Sequence, residues 1–504
     1  MYRKSHNGQL DIYDFILPFG GHLKANNRWV VLRKKINWDI IEEEYSKNFD
    51  NQDKGQEAYP ADVAFGSLYI QKQLECTDRE LVEQIAENPY MQYFIGYNEY
   101  RNEKPFDASL LVTFRKRFPE EVMSRIIEKM FINAADDDDH HQSGGGGKSD
   151  FDANTEDPAG AAPDSKNRGT LIIDATCAPA DIAFPTDLEL CDKARRWTEV
   201  IIDHLWRLYG PINGRPEKPG TYREVARSRF LKLIKRRKKS AKKIRQELRY
   251  QLNCIERNLG YIEDYILLCG PDELSKIERE RLETIFKVYA QQKKMLVSKT
   301  HSVPDRIVSL SQPWIRPIVR GKSKAPTEFG VKISVSVVNG YTFIDRMSFD
   351  AYNEGDAEEF VHVVEEFRRR FGHYPERILA DKIYRSSHNR AFCKEHGIRM
   401  SGPKLGRPGK THAEDLRQEL KEIGERNEVE GKFGIGKRKL GLSRIMAKLK
   451  ETTGSMIGMD IFILNMERFL RQEVSFLCAI LRYCIRLDYI QFFNAEQLLQ
   501  LAAC

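Results

Sequence analysis

Three acidic residues lie where carboxylates can hold metal ions. Asp174 and Asp381 each close a short apolar run that has the pattern of a buried strand, and Glu430 lies in a charged helical segment. An acid at the C-terminal end of a buried strand reaches the rim where open α/β sheets bind ligands. Mg²⁺ prefers oxygen ligands and keeps several waters, so a few carboxylates suffice, and two such ions about 4 Å apart promote phosphodiester cleavage. The pattern therefore indicates metal-assisted phosphodiester chemistry.

A structural interpretation of the same acids has to be weighed against this one. A single Asp after a strand is more often a turn or helix-cap residue than a metal ligand. Two such acids together with a helical Glu favour a metal site more strongly than a single acid does, given the order of strands and helices described below. The residues alone leave both interpretations open.

The segment around Glu430 carries its own argument. Arg426 precedes this acid by four residues and Lys437 follows it by seven, which at 3.6 residues per turn places all three on one helix face. A carboxylate between two cations can hold a metal while the cations bind flanking phosphates. The alternative is an exposed helix with ordinary ion pairs. Three glycines between Glu430 and Lys437 weaken a helix, so it either ends before Lys437 or lets a DNA backbone approach closely.

This segment resembles the Tyr-x2-Arg-x3-Glu-x6-Lys signature of bacterial insertion-sequence DDE transposases, in the superfamily of insertion sequences four and five. Arg426, Glu430 and Lys437 match the spacing, whereas Ile423 occupies the tyrosine position. Further stretches are similar to the same family: IIDATCAPADIAFPTD, ILADKIYRSSHNRAFCKEHGIRMSGP, IRPIVRGKSKAPTEFGVKISVSVVNG and, for its N-terminal domain, YPADVAFGSLYIQKQLECTDRELVEQIAENPYMQYFIGY. The resemblance covers most of residues 60 to 470.

The resemblance implies a transposase that binds terminal inverted repeats, cuts the DNA there and joins the ends to target DNA. It implies that Asp174, Asp381 and Glu430 are the catalytic residues and ligands of two Mg²⁺ ions, for which Mn²⁺ can substitute. The implied phosphate and DNA contacts are Arg426, Lys437, Arg320 and Lys322. The implied partners are double-stranded DNA and a second copy of the chain, as a homodimer in the synaptic complex.

The order of elements predicts the fold class. From residue 169 the pattern is strand, helical segment, hairpin, helix, strand, helix, strand and helix, with the hairpin turn at Asn339-Gly340. Strands alternating with helices predict a mixed sheet covered on both faces. We therefore predict an α/β protein with an RNase H-like mixed-sheet core, interrupted by a helical insertion and preceded by an all-α N-terminal domain.

The predicted domain boundaries follow from this order. They are a helical N-terminal domain at 1–134, a disordered linker at 135–168, the catalytic core at 169–190 and 325–470, a helical basic insertion at 191–324, and C-terminal helices at 471–504. The N-terminal domain is interpreted as a DNA-binding module, with a packing role as the alternative. The linker has almost no large apolar side chains with which to offset its ordering entropy. The insertion is predicted as two long antiparallel helices.

The net charge of +7 is small for 504 residues, but the basic residues are concentrated. The cluster predicted to bind DNA comprises Lys235, Arg236, Arg237, Lys238 and Lys239, with further cations at Lys232, Lys242, Lys243 and Arg245. Local cationic density of this kind is typical of phosphate binding. The alternative is a solvated helix face.

Other properties of the sequence limit the class of protein. No apolar run approaches the roughly 20 residues that span a bilayer, and the first residues lack the apolar core of a secretory signal. The nine cysteines are scattered, without a Cys-x-x-Cys pair, which favours reduced thiols over disulfides or structural zinc. These features predict a cytoplasmic protein, and the resemblance implies that it is bacterial and associated with the nucleoid.

Two other functions are compatible with these residues. One is a catalytically inactive, transposase-derived repressor, which would bind terminal repeats without nicking them in Mg²⁺ or Mn²⁺. The other is an RNase H-like nuclease without strand transfer, which would fail to join pre-cut 3′-hydroxyl ends.

Overall fold

A computed structural model of the chain describes residues 2, 11–18, 20–49, 57–142, 167–211, 217–319, 327–403 and 412–486. The chain separates into two compact units. The first comprises Met1–Ala178, Lys332–Ser348 and Tyr352–Cys504, and the second comprises Pro179–Val331 and Phe349–Ala351.

Most of the described residues are helical. The helices are α1 (Arg28–Lys35), α2 (Trp38–Ser46), α3 (Ala61–Leu74), α4 (Asp78–Glu87), α5 (Pro89–Phe94), α6 (Leu110–Arg117), α7 (Glu120–Gln142), α8 (Asp187–Tyr209), α9 (Arg223–Ile234), α10 (Ala241–Cys269), α11 (Lys276–Ser298), α12 (Ala357–Phe371), α13 (Ser387–Glu395), α14 (His412–Lys439) and α15 (Lys450–Arg486). Short 3₁₀ turns cover Pro271–Glu273 and Lys382–Tyr384.

Six strands form one curled mixed sheet. They are β1 (Thr170–Pro179), β2 (Arg316–Val319), β3 (Thr327–Val338), β4 (Tyr341–Ser348), β5 (Arg377–Leu379) and β6 (Arg399–Met400). The order is β2-β3-β1-β5-β6, with β4 paired to β3. Strands β1, β5 and β6 run parallel, whereas β2, β3 and β4 are antiparallel. The predicted α/β class with a mixed sheet is therefore confirmed.

Local signals in the sequence start and stop several elements. The Thr77 hydroxyl accepts the Glu80 amide at 3.3 Å and begins α4, which ends at Asn88 as predicted. Asn339 (φ 50°) and Gly340 (φ 84°) form the predicted hairpin turn between β3 and β4. Both positive φ angles suit a type I′ turn, which is why Asn-Gly is favoured there.

Strand β1 is longer than the sequence predicted. Asp174 was expected to close it, but the strand continues to Pro179, so this acid lies in its middle. The small residues from Ala175 to Ala178 are all buried. A strand buried on both faces is a continuous run rather than an alternating pattern, and the acid within this run was misinterpreted as its end.

Helix α7 also extends beyond its predicted end. It continues to Gln142, so the first eight residues of the predicted linker, 135–142, are helical. Ala135 lies one turn after buried Phe131 and is itself buried, which continues the apolar face of the helix. Its carbonyl accepts the Asn339 side chain at 2.6 Å. The remaining predicted linker residues up to 166 lie outside the described residues.

Helix α15 is the centre of the first unit. Phe462 on α15 contacts Phe65 of α3 at 5.0 Å and Phe131 of α7 at 5.5 Å between ring centroids. The same hydrophobic core includes Phe343 and Ile378 of the sheet. The N-terminal helices therefore share one core with the sheet. The helix also continues through the predicted boundary between residues 470 and 471.

A buried lysine ties three parts of this unit together. The Lys72 ammonium on α3 lies 2.7 Å from Asp460 of α15 and donates to the Leu440 carbonyl at 3.1 Å. Leu440 directly follows α14, so this cation satisfies a carbonyl at the C-terminal end of that helix. Burial raises the pKa of Asp460 to about 7, although the Lys72 charge acts against this increase.

The second unit contains four helices, α8 to α11, where two were predicted. Its core surrounds a buried polar network in which the Arg195 guanidinium donates to Gln251 at 2.8 Å and to Asp192 at 2.6 Å. Ser240 caps α10 by accepting the Lys243 amide at 3.4 Å. The segment from Lys235 to Lys239 was predicted on a helix but lies in the connection between α9 and α10. It offers no apolar residue with which to continue either helix.

Two further predictions concern the chain as a whole. Within the described ranges, none of the helices is long and apolar enough to cross a membrane. Five of the described cysteines carry free thiols: Cys76, Cys191, Cys254, Cys269 and Cys393.

Glu120, at the start of α7, makes folding stability depend on pH. Burial, and secondly the charge of Glu121, raise its pKa to about 7. Because the folded pKa is above the unfolded value of 4.5, the stabilisation that a protonated Glu120 gives is complete below pH 4.5 and disappears as pH rises through 7. We expect Glu120→Gln to remove this component and to be more stable than the wild type at pH 8, as measured by urea unfolding.

Glu121→Gln is the matched control, because Glu121 is exposed on the same turn. It should retain most of the pH dependence between 4.5 and 7. Equal pH profiles for Glu120→Gln and the wild type would contradict the prediction.

Candidate active site

Two of the predicted acids lie on neighbouring parallel strands. The register of β1 and β5 pairs Thr170 with Arg377 and Ile172 with Leu379. The observed pairing ends there, because β5 ends at Leu379. Continuing the same register by two residues would place Asp174 opposite Asp381, 207 positions later in the sequence, at the spacing of adjacent strands, about 4.8 Å.

Both acids are held by their local backbone. The Asp174 carboxylate accepts the amide of Ala175 at 2.8 Å. Asp381 follows β5 with an extended backbone, is exposed, and caps the 3₁₀ turn by accepting the Lys382 amide at 2.6 Å. The cap role, which is the structural alternative for such an acid, is therefore observed for Asp381. It engages one carboxylate oxygen and leaves the other for a different contact.

Tyr384 connects the surroundings of the two aspartates. Its amide donates to the Asp381 carbonyl at 3.1 Å, and its ring is 3% exposed. Burial raises the pKa of this phenol well above its usual value, and the Asp174 carboxylate acts in the same direction. The phenol is therefore neutral and stands within electrostatic reach of Asp174.

Glu430 lies on the outer side of α14. Its neighbour Val429 is fully buried, whereas the Glu430 side chain is 56% exposed. The Arg426 guanidinium lies 3.6 Å from its carboxylate, so these two residues share a helix face as predicted. Helix α14 continues to Lys439, so the glycines after Glu430 do not end it before Lys437. Ile423, at the position of the signature tyrosine, is 46% exposed.

The structure does not gather all three acids at one point. Within the described ranges, no group of three or more His, Cys, Asp and Glu side chains is arranged to hold a metal ion. Asp174 and Asp381 each offer carboxylate oxygens, the donor type that a hard cation keeping several waters prefers.

The predicted DNA contacts have different surroundings. Lys235, Arg236, Arg237, Lys238 and Lys239 are all exposed. Arg320 and Lys322 lie outside the described residues. Lys437 is partly buried on α14.

One basic residue of the N-terminal helices has a structural role. Arg115 belongs to a basic stretch of the predicted DNA-binding module, but its side chain is buried and bonded to Gln71 at 2.8 Å and to Asp78. It therefore connects α6 with α3 and α4.

A cavity of about 690 Å³ beside α14 was not predicted from the sequence. Ile172 and Leu379 form part of its apolar lining, and Lys432 and Arg468 approach it from α14 and α15. Side chains alternate along a strand, so Ile172 is on the same face of β1 as Asp174. The lining comes from residues far apart in sequence. The one local signal of this cavity in the sequence was Gly431, a glycine within a helical segment.

The hairpin turn is bonded to both cations. Lys432 donates to the Gly340 carbonyl at 2.5 Å, and Arg468 donates to the Asn339 carbonyl at 3.2 Å. Burial lowers the pKa of Lys432 to about 8; Glu428 acts against this decrease, whereas the Arg468 charge adds to it. The turn between β3 and β4 thus anchors α14 and α15 at one side of the cavity.

Comparison with known proteins gives two family matches. Residues 378–467 match the model described as a transposase DDE domain, and residues 18–117 match the model described as a transposase domain (DUF772). The first match contains Asp381 and Glu430, and the second covers the helices from α1 to α6. Together the two matches support an insertion-sequence DDE transposase.

One relative among curated proteins is the uncharacterized protein ORF8 in the nfe locus of Rhizobium meliloti. It is 31% identical over 140 residues, which are 28% of this chain. The chain matches 56% of the length of that relative. No solved structure matches significantly.

The hairpin turn should be sensitive to a single methyl group. At Gly340 an added Cβ would lie 2.5 Å from Arg468 Nε, and φ is 84°. We expect Gly340→Ala to lose more stability than Gly372→Ala, where φ is 78° and nothing lies within 4 Å. The shared left-handed backbone costs about 1–2 kcal/mol, and the clash with Arg468 adds to it. Chemical denaturation measures both values; equal losses would show that Arg468 moves aside without cost.

Proposed function

We propose that this chain, whose two domain matches support an insertion-sequence DDE transposase, cuts DNA at the terminal inverted repeats of its element and joins the ends to target DNA. The observation that carries the proposal is the parallel pairing of β1 with β5, which, continued by two residues, would bring Asp174 beside Asp381. We propose an RNase H-like fold for the sheet and the helices that cover it. The parallel order β1-β5-β6 and the antiparallel β3-β4 hairpin are consistent with that fold.

In this proposal Asp174, Asp381 and Glu430 hold two Mg²⁺ ions, for which Mn²⁺ can substitute. Bound metal ions would activate the attacking oxygen and stabilise the leaving one. Asp174 is oriented by its bond to the Ala175 amide, and Asp381 by its cap at Lys382. Glu430 joins the two aspartates only in the complex with metal and DNA.

The cations on α14 have a separate task. Arg426 and Lys437 lie on either side of Glu430 along the helix and would hold phosphates next to the cut. An arginine suits this role because its planar fork matches two phosphate oxygens at once. On DNA binding, the Arg426 guanidinium would leave the Glu430 carboxylate, now 3.6 Å away, and contact the phosphate oxygens instead.

The connection between α9 and α10 is proposed to bind the DNA backbone. From Arg227 to Arg249 the sequence contains many lysines and arginines and one acid, Glu247. That acid is buried and bonded to Arg229 at 3.2 Å. The exposed cations from Lys235 to Lys239 therefore have no neighbouring carboxylate in the sequence to neutralise them.

The remaining proposals concern partners and location. Two ends of an element have to be held together, so we propose a homodimer in the synaptic complex. The partners are the double-stranded terminal repeats and target DNA. The site of action is the bacterial cytoplasm, at the nucleoid.

Substituting the acids tests the catalytic assignment. We expect Asp174→Ala, Asp381→Ala and Glu430→Gln each to abolish Mg²⁺-dependent cleavage of terminal-repeat DNA, because each removes a metal ligand. Binding of the same DNA should largely survive. Gel-based cleavage and binding assays on one labelled duplex measure both.

Glu414→Gln is the control on the same helix, because Glu414 is an exposed acid near the start of α14. It should cut normally. Normal cleavage by all three acid variants would show that the site is wrong. A wild type that binds repeats and never nicks them, in Mg²⁺ or Mn²⁺, would indicate the repressor, and cutting without joining of pre-cut ends would indicate the nuclease.

Neutralising the cluster tests its role at the DNA backbone. Replacing Lys235, Arg236, Arg237, Lys238 and Lys239 by glutamine should flatten the slope of log affinity against log salt by about 0.9 for each phosphate that is no longer neutralised. Lys287 and Lys294, exposed on α11, provide a control pair for glutamine substitution. An unchanged slope in the five-residue variant would show that the cluster is a solvated surface that does not contact the DNA backbone.

A further inference from the structure

The cavity beside α14 has the charge pattern of an anion site. Four cationic side chains line it, Arg377, Lys432, Arg468 and Arg471, together with two carboxylates, Glu425 and Glu428. The lining residues therefore comprise two more cations than carboxylates, although Glu467 outside the lining pairs with Arg471. An excess of this kind in a concave site concentrates counter-ions.

The partners of these groups show where the excess charge lies. Arg377 is paired with Glu425 at 2.6 Å and also donates to the Thr170 hydroxyl. This ion pair therefore adds no net charge to the cavity lining. Lys432 donates to the Gly340 carbonyl, a neutral acceptor, and the Glu428 carboxylate offsets part of its charge. Arg471 is 67% exposed and contacts Glu467 at 3.1 Å, at the rim of the same space.

The helix leaves room for a ligand at this point. Gly431 lines the cavity, and a Cβ at this position would meet nothing within 4 Å. Glycine inside a helix destabilises it relative to alanine, and no neighbouring atom in the described part of the chain requires it. At about 690 Å³ the space is within the range of small-molecule sites, and it is large enough for a phosphate together with the sugar to which it is joined.

We propose that this cavity is a phosphate-binding site, in which Lys432 and Arg471 hold the phosphate oxygens and Gly431 gives the ligand access. The phosphate belongs either to the DNA backbone or to a small phosphorylated compound, and the chemistry of recognition is the same. None of the three proposed metal ligands lines this cavity, and the proposal does not depend on the proposed DNA cleavage.

Thermal unfolding of the full chain tests the site, with sodium phosphate as the probe and chloride at equal ionic strength as the reference. A ligand that binds only the folded state raises Tm. We expect phosphate to raise the Tm of the wild type. Arg471→Gln should weaken phosphate binding by roughly tenfold or more, since a hydrogen bond to a charged group is worth about 1.5–3 kcal/mol.

Two further variants keep the test specific. Gly431→Leu fills the cavity without changing its charge, improves the intrinsic helix propensity, and should also abolish the phosphate response. Arg368→Gln is the matched control: this arginine on α12 is 55% exposed and contacts Glu365, as Arg471 contacts Glu467. It should respond to phosphate as the wild type does.

The outcomes separate the two sources of phosphate. If the source is DNA, Arg471→Gln also reduces the salt slope of DNA binding by about 0.9, the value for one phosphate. If the source is a small compound, the slope is unchanged and only the response to phosphate disappears. A wild type that does not respond to phosphate, or equal responses in all four proteins, would overturn the proposal.

Discussion

The parallel pairing of β1 with β5 is the constraint on which the proposed chemistry depends. Continued by two residues, it would align Asp174 with Asp381, 207 positions later in the sequence; the segment from Pro179 to Val331 between them belongs to the other compact unit. Because the register is set by Ile172 against Leu379, a shift by one residue would move one acid to the opposite face of the sheet. Buried apolar residues on both strands stabilise this register. The proposed position of the two carboxylates therefore depends on hydrophobic packing of the strands.

Helices α14 and α15 depend on the same unit for their positions. The Lys72 ammonium holds the end of α14 and the middle of α15, and the Asn339-Gly340 turn is bonded to Lys432 and Arg468 on those two helices. The N-terminal helices, which match a transposase domain, thus pack into the core that supports Glu430. Their contribution to the chemistry is at least structural, since they share that hydrophobic core.

Local signals were sufficient for the elements but not for the site. The hairpin turn depends on Asn339 and Gly340, and the structure confirms that prediction. The end of α12 at Gly372 and the cap of α13 at Ser386 are likewise set by single residues. The extent of β1 and the connection between α9 and α10 depend on tertiary burial and were predicted wrongly. The exposure of Glu430 and the cavity beside α14 arise from contacts between distant segments, which spacing along one sequence does not contain.

Asp174 and Asp381 are proposed to hold a divalent metal ion together. The most direct measurement is anomalous diffraction from crystals of the full chain soaked in Mn²⁺, with the wild type and Asp174→Asn compared. We expect an anomalous peak between the two carboxylates of the wild type, in contact with both. We expect this peak to be absent from Asp174→Asn. A peak bound elsewhere, or one that persists unchanged in Asp174→Asn, would contradict it.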